Sequence, residues 1–131
     1  LIHRLEIPDM IVAFTDSPDR LREYANDERH ARFLTEELLP DLTGRLPIID
    51  RPQARCLMGA SFGAVAAFST AYRYPGVWGR LLLQSGSLLD ATGMQVKFVE
   101  ARDGHNWENW RDRLREGLSW LFPGPLMFVY E

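Results

Sequence analysis

At 131 residues, 46% hydrophobic and 25% charged, the chain has the length and apolar content of one domain that can bury a core without a disulfide or metal staple. Fifteen basic and eighteen acidic residues, net −3 with no long block of either sign, argue against a nucleic-acid or polybasic membrane footprint. The lone cysteine, Cys56, excludes an internal disulfide, and apolar runs such as Ala64 to Phe68 are far too short to span a bilayer. The chain starts at Leu1 with no charged-then-apolar leader, so the expectation is a piece of something longer or a processed chain, with the cytoplasm as the default location.

Short apolar runs alternate with longer amphipathic ones. Met10-Ile11-Val12-Ala13-Phe14, closed by Thr15-Asp16-Ser17-Pro18, predicts a buried strand ending in a turn. Asn26 precedes a helical stretch with Ala31, Leu34 and Leu38 at three- and four-residue spacing, and Pro40 and Gly44 are expected to limit its end. Arg55-Cys56-Leu57-Met58 reads as a second strand. Ser61 through Tyr72 reads as a helix, small on one side at Ala64, Ala67 and Ala71, and stopped by Pro75-Gly76. Arg80-Leu81-Leu82-Leu83-Gln84 and Gln95-Val96-Lys97-Phe98-Val99 are the third and fourth predicted strands. In the last helix Trp107, Trp110, Leu114, Leu118 and Leu121 form one apolar stripe, with Asn106 as its cap; Leu126 to Tyr130 would add an edge strand. Strands alternating with helices imply a mostly parallel sheet flanked by helices, with four or five strands: an α/β fold in a single domain over residues 1–131.

Gly59-Ala60-Ser61-Phe62-Gly63 sits directly between a predicted strand and a predicted helix. That is the context of a nucleophile elbow, a serine on a tight turn with its hydroxyl clear of the sheet. Strand and helix approach so closely there that side chains at Gly59 and Gly63 are expected to clash. The helix start would aim free amides at the reacting centre, the Phe62 amide being one oxyanion donor. A serine hydroxyl needs a base to take its proton. His3, near the terminus, and His30, between Arg29 and Arg32, read as solvated surface residues. His105 follows a predicted strand, lies in the loop Arg102-Asp103-Gly104-His105-Asn106 and precedes the last helix, which is where a base is expected.

Met58-Gly59-Ala60-Ser61-Phe62-Gly63-Ala64, Tyr74-Pro75, Leu83-Gln84-Ser85-Gly86-Ser87 and Asp103-Gly104-His105-Asn106-Trp107 with Trp110 and Arg111 together resemble the putative-esterase branch of the α/β-hydrolases. That branch includes enterochelin esterase, esterase D and the mycolyltransferases. Arg20-Leu21-Arg22-Glu23-Tyr24, Phe33 and Glu37-Leu38-Leu39-Pro40 extend the likeness, nearest to enterochelin esterase, over about residues 5 to 122. The resemblance implies a partial α/β-hydrolase fold and serine-dependent hydrolysis of a small-molecule ester through an acyl-enzyme on Ser61, with His105 as base. A siderophore-type ester is the substrate class it suggests; an acyltransferase would differ only in the acceptor. No His, Cys and carboxylate cluster has metal-ligand spacing and no phosphate-cradling loop occurs, so neither metal nor cofactor is expected.

The family pattern has upstream strands, one bearing the second oxyanion donor, and a helix, strand and acid-bearing loop where this chain has only Leu88 to Met94 between Ser87 and the fourth predicted strand. Asp90, just past Ser85-Gly86-Ser87, is the best substitute for the triad acid. Asp103 reads as a loop cap, Glu100 as a surface charge, and Asp16 ranks third. Trp107 and Trp110 are expected in the core, Arg20 and Glu23 as a structural ion pair, and Cys56 as buried and inert. The competing expectation is an inactive hydrolase-like module that binds or assembles, with exposed sheet edges inviting a second copy.

Overall fold

The computed structural model describes residues 7–84 and 106–124, which fall into two compact units, one within 16–84 and one containing 7–15 and 106–124. The fourth predicted strand and the edge strand at Leu126 to Tyr130 lie outside the described residues.

In the larger unit, β1 (Cys56–Ala60) and β2 (Arg80–Gln84) form a parallel pair, with Cys56 opposite Arg80 and Ala60 opposite Gln84. The second and third predicted strands are thus present and paired as expected. The ladder runs past both ends: the Arg80 amide donates to the Arg55 carbonyl at 3.1 Å, and the Ser61 amide to the Gln84 carbonyl at 2.9 Å. Between the strands runs α4 (Phe62–Arg73), packed on β1, β2 and the helical region before them. Ala64, Ala66 and Ala67 are buried, so the helix presents almost no side-chain bulk to the sheet and its axis comes close. It ends where Pro75-Gly76 demands: the Val77 amide donates to the Tyr74 carbonyl at 3.2 Å and Gly76 takes φ +82°, a turn whose third residue must be left-handed.

One buried group in α4 is poorly matched. Thr70 has no exposed surface, and its hydroxyl has no hydrogen-bond partner among the described residues. A desolvated, unpaired hydroxyl costs about 1–3 kcal/mol, whereas an isosteric methyl costs nothing there. Thr70→Val is therefore expected to stabilise the protein by about 1 kcal/mol, read as a higher urea midpoint at unchanged slope.

Upstream of β1, α1 (Arg20–Glu23) is capped by Asp19, and α2 (Glu28–Arg32) by Asp27, whose carboxylate accepts the Arg29 amide at 2.8 Å. The Arg29 guanidinium beside Asp27 holds that carboxyl down to about 2. Asn26 is the left-handed residue of the intervening turn, at φ +68°, and Arg73 fixes it by donating to its carbonyl at 3.3 Å and its side-chain oxygen at 3.1 Å. The helix passes Pro40 and ends at Arg45, one residue beyond Gly44, the second of its two expected limits. It passes from α2 into a π-helical stretch, Phe33–Leu38, and on through α3 (Leu39–Arg45). Pro40 has no amide to donate and its ring would strike the carbonyl four residues back in a regular α-helix; the wider π turn immediately before it, closed by the Leu39 amide on the Leu34 carbonyl, makes room for the ring. It also carries two groups that tie this region to the far end of α4: the Thr35 hydroxyl accepts from Trp78 Nε1 at 3.0 Å, and the Glu36 carboxylate accepts from the Tyr74 hydroxyl at 2.7 Å.

Other expectations need correction. Met10 to Phe14 is not a strand: the segment is irregular, with Ile11, Val12 and Phe14 exposed. An apolar run becomes a strand only by pairing, and among the described residues the only ladder is β1 with β2. No Arg20–Glu23 ion pair occurs among the described residues; the Glu23 carboxylate instead accepts from the hydroxyl of buried Ser17.

In the smaller unit, α5 (Trp107–Leu121) is capped by Asn106, whose side chain accepts the Asn109 amide at 2.9 Å. Trp107 is not a core residue. It is 74% exposed and meets Trp110 edge to face at 5.3 Å, and no residue of α5 is fully buried. The stripe identifies the apolar face of the helix; it does not supply a surface to cover it. Among the described residues no helix is long and apolar enough to cross a membrane.

Candidate active site

Ser61 occupies the single residue between β1 and α4, at φ +55° and ψ −122°. A side chain in this left-handed region is strained, by about 1–3 kcal/mol, and persists only where its surroundings over-determine it. Here they do. The Ser61 amide is held by the Gln84 carbonyl at 2.9 Å, as the last rung of the sheet. Its carbonyl is held from the other side by the Ala64 amide at 3.0 Å and the Val65 amide at 3.4 Å, the first bonds of α4. The sequence names Gln84 only as the end of the third predicted strand and part of a family motif; that its carbonyl fixes the Ser61 amide follows from the register of β1 with β2.

The close approach of strand and helix is carried by Gly59 alone. A Cβ at Gly59 would be driven into the Gly63 carbonyl and would lie 2.7 Å from the Ala64 nitrogen. Among the described residues a Cβ at Gly63 would meet nothing within 4 Å, so the expected clash there does not occur with any of them. Gly63 is the surface Gly59 packs against, and its own side-chain direction is open.

Phe62 and Gly63 are the first two residues of α4, so their amides have no intrahelical acceptor and stand at the positive end of the helix dipole. The Ser61 side chain, which does not cap the helix, is partly exposed. The arrangement can present a hydroxyl and adjacent amide donors to one small group. His105 and Asp90 lie outside the described residues, as do Glu100 and Asp103. Asp16 is exposed, and its carboxylate accepts the Ser17 amide at 2.8 Å, a local turn contact.

Two other reactive side chains in this unit have environments that set them apart. Cys56 is half-buried rather than, as expected, fully buried; that partial burial still pushes its thiol up to about 11, against a smaller opposing pull from Arg80. The thiolate is the reactive form. Iodoacetamide at neutral pH is therefore expected to leave Cys56 of the folded protein unmodified and to alkylate it in urea, as intact mass would show. His30 is not a freely solvated residue. It is half-buried, with its ring 5.0 Å from that of Tyr24. Burial lowers its pKa below the ordinary 6.5, opposed more weakly by the Glu23 and Asp27 carboxylates. The folded state thus favours neutral imidazole, and the unfolded chain takes up the proton first as pH falls. His30 contributes no pH dependence well above 6.5 and costs stability progressively below it. His30→Phe is expected to flatten the fall in urea midpoint as pH drops below about 6.5.

Among the described residues no group of three or more His, Cys, Asp or Glu side chains is placed to hold a metal ion. The family model described as "Putative esterase" matches residues 15–116. The iron(III) enterobactin esterase of Dickeya dadantii (strain 3937) is 33% identical over 84 residues, covering 62% of this chain and 19% of that protein. The iron(III) enterobactin esterase of Escherichia coli O6:H1 is 30% identical over 90 residues, covering 66% of this chain and 22% of its own. The chain therefore spans about a fifth of the length of these curated relatives. No solved structure matches.

Proposed function

The chain belongs to the putative esterase family, and from that premise we propose that it is a serine-dependent carboxylic-ester hydrolase on an α/β-hydrolase framework, with Ser61 as its nucleophile. The observation that carries the reading is the strained backbone of Ser61 between β1 and α4, held on both sides by the sheet and helix ladders. Strain of this kind costs stability, and a nucleophile elbow is a use that accounts for it.

In the proposed reaction the Ser61 hydroxyl attacks the ester carbonyl as His105 removes its proton. The tetrahedral oxyanion is met by the Phe62 amide. Collapse breaks the bond to the alcohol oxygen, which leaves with the proton held on His105. Water, deprotonated by His105, then attacks the acyl-enzyme and releases the acid and the free serine. Asp90 is the proposed acid that orients the imidazole and stabilises its cation. The relatives are iron(III) enterobactin esterases by name, which makes a siderophore-type ester the first substrate class to assay.

The test is covalent. A fluorophosphonate probe applied to the folded chain is expected to add one adduct, located to Ser61 by peptide mass. An unlabelled, folded protein would overturn the reading and leave the alternative, an inactive binding or assembly module. Labelling and hydrolysis of a simple phenyl ester, with transfer to an added alcohol outpacing hydrolysis, would replace hydrolase by acyltransferase on the same serine.

A further inference from the structure

We draw no further inference here: the strongest candidate, the exposed apolar patch of Ile11, Val12 and Phe14 in the irregular segment ahead of α1, carries nothing because nothing in the structure shows what covers it.

Discussion

Ser61→Ala is expected to abolish fluorophosphonate labelling and to lower ester turnover by about 10⁴-fold or more, while the protein stays folded and within about 0.5 kcal/mol of its original stability. The two halves of that expectation have separate causes. The hydroxyl is the proposed attacking atom, so its loss leaves only the background from binding and oxyanion donors. The backbone strain at φ +55° belongs to Cβ, which alanine keeps, so folding has no reason to respond. Ser61→Gly separates the two further. Glycine removes Cβ as well and relieves strain worth about 1–3 kcal/mol, against roughly 0.5–1 kcal/mol for the freer unfolded chain. The net expectation is an inactive protein more stable than the parent by about 1 kcal/mol, seen as a rise in urea midpoint. A glycine variant less stable than the parent would show that the conformation of Ser61 stores no strain, and the observation behind the proposed function would fall with it.

What was legible in the sequence divides along a physical line. Features set by a few neighbouring residues were readable. The parallel strands came from Cys56 to Met58 and Arg80 to Gln84, the helix stop from Pro75-Gly76, the cap from Asn106, and the strand–turn–helix setting of Ser61 from two glycines at fixed spacing. Features that depend on a remote partner were not. Met10 to Phe14 has the composition of a buried strand, but composition does not specify a ladder to join. Trp107 lies on the apolar stripe of α5 and still stands 74% exposed. Of the two expected limits of the second helical stretch, Gly44 holds, since the helix ends at Arg45, while Pro40 is passed directly after the π-helical stretch Phe33–Leu38, a local irregularity that three- and four-residue spacing does not signal. Of the proposed site, Gly59, Ser61, Phe62 and Gly63 run from the end of β1 into the start of α4, and their catalytic role belongs to the proposal. The unequal roles of the two glycines could be seen only in three dimensions.

That inequality makes the sharpest structural test of the turn. Gly59→Ala is expected to cost about 3 kcal/mol or more, because the added methyl meets backbone atoms of Gly63 and Ala64 that no side-chain rotation can move aside. Relief requires the start of α4 to lift from β1. The first bonds of that helix also hold the Ser61 carbonyl, so the lift would displace Ser61 and the Phe62 amide together. A displacement of about 1 Å at a reacting centre is worth roughly 10²-fold in rate, so the proposed ester turnover at Ser61 should fall even in the fraction that folds. Gly63→Ala, two residues past the same serine, is expected to do the opposite. Its Cβ meets nothing within 4 Å among the described residues and its backbone is already helical, so alanine should stabilise the helix by about 0.5–1 kcal/mol. Urea midpoints of the two variants, measured side by side, should shift in opposite directions from the parent. Equal losses in both would mean that the strand and helix do not meet at Gly59 as described, since only that one-sided contact distinguishes two glycines that look interchangeable in the sequence.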